Sequence, residues 1–219
     1  MFSVHRELVT IGRGAASVEG LLALPAEPSG MVLFAHGSGS SRHSPRNTYV
    51  AAQMRSAGFG TLLMDLLGST EEHDTALRFD IGLLEQRLGA AANWLADYAL
   101  TRALPLGLFG ASTGAAAALA LAAARPQAVH AVVSRGGRPD LAGAAVLAAL
   151  RAPTLLLVGA LDLEVVALNQ AAYAHMECGK KLEIIPGASH LFEEPGRIEI
   201  VASHAMDWFE RHLPGSGAR

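Results

Sequence analysis

The stretch Gly110-Ala111-Ser112-Thr113-Gly114 contains the residue whose type and setting are best suited to nucleophilic chemistry. It follows a short apolar run, residues 106–109, and precedes an alanine-rich run of helical character, residues 115–124. A serine on a sharp turn from strand to helix has a strained backbone, and glycines two positions away leave room for the turn. The turn exposes the hydroxyl and directs the first N–H groups of the helix toward it. We therefore predict that Ser112 is a catalytic nucleophile.

A serine hydroxyl is a poor nucleophile at neutral pH, so it needs a base within hydrogen-bond reach and a third group that orients this base. His190 follows the last predicted strand in a glycine-containing loop, at the sheet edge where ligands bind in open α/β sheets. His36 also follows a strand, but the Gly-Ser-Gly after it indicates a different role. His43 and His73 lie in loops and are weaker candidates. We predict His190 as the base.

Asp162 is the predicted orienting acid, because it follows the predicted strand 154–158 and so belongs to the same sheet edge. Such a carboxylate holds the imidazole tautomer and stabilises the imidazolium that forms when the serine loses its proton. The alternative is that Asp162 only caps the helix that starts near Glu164. Glu164 and Asp140 are the reserve acids.

Acyl transfer requires N–H donors that stabilise the oxyanion, and the sequence offers two candidates. The N–H of Thr113 directly follows the nucleophile. The second donor is predicted in the loop after strand 31–35, which reads His-Gly-Ser-Gly from His36 onward. We assign it to Ser38, with Gly37 or Gly39 as alternatives that approach the substrate closely. The competing interpretation is a glycine-rich loop that simply turns.

Two basic loops suggest an acidic substrate group. Arg42 lies in the loop after the glycines, and Arg135 lies in the segment after strand 131–133. Arginine can bind a carboxylate or phosphate through two parallel hydrogen bonds. The alternative is that these arginines pair with acidic loops such as residues 71–74.

The composition indicates a compact globular protein: 219 residues, of which 51% are hydrophobic and 17% charged. We predict one domain over residues 1–213 and a flexible tail over residues 214–219. A net charge of −3 provides no basic field for nucleic acid, and no apolar run is long enough for a membrane span. One cysteine and no visible signal peptide favour the cytoplasm. No motif indicates a metal or another cofactor, and the sequence leaves the oligomeric state open.

Apolar runs alternate with segments of helical periodicity, which is typical of a doubly wound, mostly parallel α/β sheet. An N-terminal hairpin is predicted from residues 3–11 and 18–24, joined by a glycine-bracketed turn. Buried strands are predicted at 31–35, 60–64, 106–109, 131–133 and 154–158, with an edge strand at 181–185. Helices are predicted at 49–57, 81–98, 115–124, 141–150, 165–176 and 198–212.

Through His36-Gly37-Ser38-Gly39, the serine pentapeptide, Asp162 and His190, the chain resembles the α/β-hydrolase superfamily over nearly its full length. The order Ser, Asp, His is the order of that superfamily. The length, hairpin and spacing look most like the dienelactone hydrolase-like branch, although the namesake enzymes have cysteine at the position of Ser112. The segment after strand 131–133 is short, so we expect little or no lid.

The resemblance implies a serine hydrolase that cleaves small carboxylic esters or lactones through an acyl-enzyme, with a catalytic triad, an oxyanion hole and no cofactor. The same triad also serves an acyltransferase or a perhydrolase, in which an alcohol or a peroxide replaces water. A non-catalytic ligand-binding protein of the same fold is the third alternative.

Overall fold

An eight-stranded sheet forms the centre of the computed structural model, which describes residues 4–14 and 17–213. The strands lie side by side in the order β1-β2-β4-β3-β5-β6-β7-β8. Their bounds are β1 His5–Ile11, β2 Val18–Leu24, β3 Gly30–Ala35, β4 Phe59–Met64, β5 Leu106–Ala111, β6 Val129–Arg135, β7 Thr154–Gly159 and β8 Lys180–Ile185.

Strand direction follows the prediction. The hairpin is antiparallel, with His5 opposite Leu24 and Ile11 opposite Val18, and β2 continues antiparallel onto β4. All pairs from β4 through β3 to β8 are parallel. The doubly wound, mostly parallel sheet with an N-terminal hairpin is therefore confirmed. Residue 3 and the predicted tail, residues 214–219, lie outside the described residues.

Helices cover both faces of the sheet. One face packs against α3, α4, α5 and α6, and the other against α1 and α7. Both faces of the central strands are thus buried, which explains their continuous apolar runs. The helix bounds are α1 Pro45–Ser56, α2 Thr75–Arg78, α3 Ile81–Asp97, α4 Thr113–Ala124, α5 Ala144–Ala149, α6 Leu163–His175 and α7 Arg197–His212. No helix within these described ranges is long and apolar enough to cross a membrane.

The predicted helix over 141–150 is wrong at its start. Residues Pro139–Ala142 form a 3-10 turn, and α5 begins only at Ala144. Gly143 separates the two with a φ of 85°, a left-handed conformation that stops a helix. Between β6 and β7 the described chain forms only this turn and the six-residue α5, which matches the expectation of little or no lid.

The first turn of α4 lies in backbone contact with the end of β3. A Cβ atom added to Gly114 would stand 2.3 Å from the carbonyl oxygen of His36 and 2.4 Å from that of Ala35. A Cβ on Gly110 would stand 2.4 Å from the Cα of Ala115. Only glycine permits these approaches, so both glycines of the pentapeptide are required by packing.

The side chain of His36 joins the loop after β3 to the segment after β4. Its Nε2 atom accepts the Leu66 N–H at 3.0 Å, so Nδ1 carries the proton and donates to the Gly37 carbonyl at 2.9 Å. Burial lowers the pKa of His36 below its ordinary value of 6.5, outweighing the Gly37 hydrogen bond and the charges of Asp65 and Glu72. His36 is therefore neutral at neutral pH and holds the loop in place.

We predict that Gly114→Ala lowers the free energy of unfolding by about 3 kcal/mol, because the added methyl collides with backbone oxygens that cannot turn aside. Urea unfolding followed by circular dichroism measures the loss. The matched control is Gly179→Ala, where the nearest heavy atom to an added Cβ is 4.0 Å away. Equal stability of the two variants would contradict the packing argument.

We predict that His36 contributes stability above pH 6.5 that is lost as the pH falls. Folding lowers the pKa of His36, so below 6.5 the unfolded chain binds a proton that the folded protein does not, and unfolding becomes easier. The stability difference between wild type and His36→Gln should shrink below this pH, by at most about 1.4 kcal/mol per pH unit. Urea titrations from pH 5 to 8 test this, and the NMR titration of the His36 ring checks it in the wild type. A difference that is constant with pH would contradict it.

Candidate active site

Ser112 lies at the junction of β5 and α4 with a strained backbone. Its φ of 51° and ψ of −121° are rare for a residue with a side chain, and strain of this kind collects at functional sites. Backbone hydrogen bonds hold the turn: the Ser112 N–H donates to the Arg135 carbonyl at 3.2 Å, and the Ser112 carbonyl accepts the Arg138 N–H at 3.1 Å. Although Ser112 precedes the helix, its side chain makes no capping hydrogen bond. The hydroxyl is therefore not used to hold the helix.

His190 and Asp162 form a close pair on two neighbouring loops. The Nδ1 atom of His190 and the Oδ2 atom of Asp162 lie 2.6 Å apart, in the loops that follow β8 and β7. The carboxylate is the more buried partner, with a side-chain exposure of 17% against 38% for the imidazole. Asp162 occupies the residue before α6, yet its side chain makes no cap hydrogen bond. The carboxylate contacts the imidazole instead.

One short loop contacts both the serine and the histidine. Arg135 and Arg138 each bind the Ser112 backbone, as described above, and Gly136 lies against His190. A Cβ on Gly136 would stand 3.1 Å from the His190 carbonyl oxygen and 3.6 Å from its ring Cε1 atom. This loop therefore contacts both predicted catalytic residues.

The loop that carries His190 has supports that the sequence analysis missed. Phe192 is buried with a φ of 56°, and its N–H donates to the Ser189 carbonyl at 3.2 Å. Glu194 accepts the Ser189 N–H at 3.1 Å, and hydrogen bonds from Ser189 lower the pKa of this carboxyl. A positive φ at phenylalanine has no sequence signal. An acidic residue shortly after His190 is a signal, but it could not be told from an ordinary surface residue.

The loop after β3, residues 36–40, lies directly beside Ser112 and is called the glycine-serine loop. A Cβ on Gly37 would stand 2.9 Å from the Cβ of Ser112 and 3.7 Å from its Oγ. The Ser38 N–H donates to the Oγ1 atom of Thr113 at 2.9 Å. Thr113 is buried, so this bond ties the loop after β3 to the first turn of α4. Gly39 adopts a left-handed φ of 69°, at which the loop turns.

A cavity of about 210 Å³ opens next to this loop. Its walls come from the loop after β3, the segment after β4, and the start of α4. The cavity lining is mixed. Its polar and charged residues include Ser38, Ser40, Asp65, Glu72, His73, Arg78 and Thr113, and its apolar residues are Leu66, Leu67 and Leu84. The Nε of Arg78 donates to the Glu72 carbonyl, and its Nη1 lies 3.9 Å from an added Cβ on Gly39.

The structure gives both predicted substrate arginines protein contacts. Arg42 forms ion pairs with Asp65 and with Glu19, the latter at 2.6 Å, so it pairs with acids outside residues 71–74. Arg135 is buried over the ring of Phe192, and its Nη2 lies 3.4 Å from the Asn47 Oδ1. Contact of either arginine with substrate stays a prediction.

Burial, together with the nearby charge of Arg46, lowers the pKa of Arg135 to about 10, so it is charged at neutral pH.

Among the reserve acids, Asp140 is bound by Arg138 through two hydrogen bonds of 2.9 and 2.7 Å. The carboxylate that contacts His190 is that of Asp162. Within residues 4–14 and 17–213, no group of three or more His, Cys, Asp or Glu side chains could hold a metal ion.

Two curated relatives match nearly the whole chain, but they are about twice as long. Two proteins from Mycobacterium tuberculosis, strains CDC 1551 and H37Rv, are each 54% identical over 211 residues. Both carry the provisional name phosphoribosyl transferase. The match covers 96% of this chain and 47% of each relative, so the chain spans about half the length of these proteins.

Solved structures match the whole fold. The dienelactone hydrolase of Anabaena variabilis superposes with a TM-score of 0.92 at 52% identity, covering 96% of this chain and 99% of that one. A cold-adapted esterase from an Arctic intertidal metagenomic library reaches a TM-score of 0.77 at 17% identity, covering 96% and 95%. The family model described as alpha/beta hydrolase fold matches residues 30–152. The chain therefore belongs to the α/β-hydrolase family and is dienelactone hydrolase-like.

Proposed function

We propose that the protein is a serine hydrolase that cleaves small carboxylic esters or lactones through an acyl-enzyme intermediate. The observation that carries the proposal is the 2.6 Å contact between His190 Nδ1 and Asp162 Oδ2, at the sheet edge where Ser112 has its strained backbone. Family membership supports a hydrolase of some kind. The serine nucleophile and the ester or lactone substrate come from the chemistry of these three residues.

The chemistry begins when the Oγ of Ser112 attacks the carbonyl carbon of the ester. The proton of Ser112 passes to Nε2 of His190, while the Nδ1–H of His190 donates to Asp162. The carboxylate stabilises the imidazolium and keeps the proton on Nδ1 before attack. The imidazolium then protonates the alcohol oxygen as the carbon–oxygen bond breaks, which leaves the acyl group on Ser112. Water, activated by the same imidazole, releases the acid.

Two backbone N–H groups are proposed to receive the negative oxygen that forms during attack. The Thr113 N–H lies at the start of α4, where the helix dipole favours negative charge. The Ser38 N–H turns from the Thr113 hydroxyl oxygen, its partner at 2.9 Å, to the substrate oxygen. Losing one such donor costs about 2.7–4 kcal/mol in the rate.

The names of the relatives support this proposal unequally. The name phosphoribosyl transferase belongs to proteins about twice the length of the matched region. The name therefore does not assign an activity to the half that matches this chain. The Anabaena protein named dienelactone hydrolase matches over nearly all of both chains at 52% identity. That equivalence in length and sequence favours hydrolysis for this chain.

We predict that Ser112→Ala abolishes labelling by a fluorophosphonate probe and lowers kcat/KM on p-nitrophenyl acetate at least about 10³-fold, because the nucleophile is lost. Gel fluorescence and release of p-nitrophenol measure the two effects. The control is Ser56→Ala, which removes an exposed hydroxyl bound only to the Ala52 carbonyl in α1. Labelling that persists in Ser112→Ala at the wild-type rate would exclude this nucleophile.

We predict that Gly37→Ala lowers kcat/KM about 100-fold while the protein stays folded. The added methyl would stand 2.9 Å from the Ser112 Cβ and 3.2 Å from the Ala111 carbonyl oxygen, so the nucleophile or the loop must shift. A displacement near 1 Å costs about this factor. Ester hydrolysis gives the rate, circular dichroism verifies the fold, and Gly179→Ala is the control. Unchanged hydrolysis in a folded variant would show that the loop does not position the serine.

A further inference from the structure

Thr113 presents two hydrogen-bonding groups at the place where Ser112 meets helix α4. Its N–H lies at the start of α4, where the first N–H groups have no carbonyl of an earlier turn to bind. Its hydroxyl oxygen accepts the Ser38 N–H at 2.9 Å. One residue therefore connects the two backbone donors that the proposed mechanism uses.

The composition of α4 makes this hydroxyl distinctive. All other residues of the helix are glycine, alanine or leucine, so Thr113 has its one polar side chain. Thr113 is 2% exposed, and a buried hydroxyl needs a hydrogen-bond partner. Its partner is the N–H of a residue 75 positions away in sequence. The packing of an apolar helix does not require a hydroxyl here, so its use lies in the bond to Ser38.

That bond holds the tip of the glycine-serine loop, residues 38–40. The start of the loop is held by the hydrogen bonds of His36. Ser38 itself is exposed, so its neighbours do not fix its direction by packing. In the part of the chain that the structure describes, its bond to Thr113 is the one hydrogen bond that joins residues 38–40 to another element. The Thr113 hydroxyl therefore determines where the Ser38 N–H points.

A neutral hydroxyl oxygen suits a donor that must change its partner during the reaction. A hydrogen bond to an ionised acceptor is roughly twice as strong as one between neutral groups. The neutral carbonyl oxygen of a bound ester therefore has no advantage over the Thr113 hydroxyl in binding the Ser38 N–H, whereas an oxyanion does. A carboxylate in place of the hydroxyl would keep the N–H and repel the oxyanion.

We propose that the Thr113 hydroxyl is a positioning group. It holds the Ser38 N–H at the start of α4 in the free enzyme and releases it to the substrate oxygen when negative charge forms. This inference rests on the proposed function and deepens it. Because the N–H is aimed before attack, little reorganisation is left for the transition state, which is when such donors are most effective. The gain is made in the transition state, so it acts on kcat rather than on KM.

Thr113→Val tests the proposal, because it removes the hydroxyl and keeps the shape of the side chain. We expect kcat on p-nitrophenyl acetate to fall about 10-fold, less than the roughly 10²–10³-fold cost of deleting a donor, since the Ser38 N–H remains but is no longer aimed. KM should stay within about two-fold of the wild-type value. Thr113→Ser keeps the hydroxyl and should recover most of the lost rate.

A trifluoromethyl ketone reports the oxyanion directly. The Oγ of Ser112 bonds its carbonyl carbon, the carbonyl electron pair moves to the oxygen, and the serine proton passes to Nε2 of His190. The inhibition constant should rise in Thr113→Val by the same factor as kcat/KM falls. A second measurement needs no variant: in the wild type, the NMR signal of the Ser38 amide proton should move downfield when the ketone binds, because its acceptor changes from a hydroxyl to an oxyanion.

Thr101→Val is the matched control. Thr101 is also 2% exposed, and its hydroxyl donates to the Leu95 carbonyl at 2.6 Å. It precedes β5, at the edge of the sheet opposite to Ser112. The control therefore removes an equally buried hydroxyl far from the site. It should lower the free energy of unfolding but leave kcat/KM and the inhibition constant unchanged.

Four results would overturn the inference but leave the proposed function standing. They are wild-type kcat/KM and inhibition in folded Thr113→Val, failure of Thr113→Ser to recover the rate, an equal loss of rate in Thr101→Val, and an unmoved Ser38 amide signal in the ketone complex. If neither ester turnover nor the ketone adduct depends on Ser112, the proposed function fails, and this inference fails with it.

Discussion

Helix α4 begins within backbone contact of strands β3 and β5, and the arrangement of the site depends on that contact. A methyl group on Gly110 or Gly114 would enter the space of backbone atoms at 2.4 and 2.3 Å. Because both residues lack a side chain, the chain turns sharply enough to leave Ser112 at a φ of 51°. The same contact sets the start of α4 against the loop after β3, where Ser38 meets Thr113.

The parallel sheet places the other two predicted catalytic residues by a separate rule. Parallel strands end at one edge, so residues that follow β5, β7 and β8 lie at the same edge although they are distant in sequence. This rule is why Asp162 and His190 could be selected from sequence: each follows a predicted strand. The strand bounds were also predictable within about two residues, because both faces of the central strands are buried and their apolar runs are continuous.

Other features depend on side-chain geometry that a sequence pattern does not encode. The bond from Ser38 N–H to Thr113 Oγ1 joins residues 75 positions apart, and no periodicity reports it. The position of Arg42 in its loop predicts a substrate contact, and in the structure Asp65 and Glu19 bind its guanidinium. Nothing in the sequence indicates which carboxylates the fold brings near. At Gly143 the structure explains what the sequence pattern missed. Its left-handed φ breaks the helix, but a glycine in the sequence does not indicate that the α-helix begins only after it.

Two histidines at this sheet edge differ in burial and in hydrogen bonding. His36 is buried, its two ring nitrogens are both bonded to the backbone, and its pKa is lowered, so it has no free nitrogen to take a proton from serine. His190 is more exposed and bonds Asp162 through Nδ1. With Nδ1 fixed by a carboxylate, Nε2 is the nitrogen left to accept a proton, which is the condition a general base must meet.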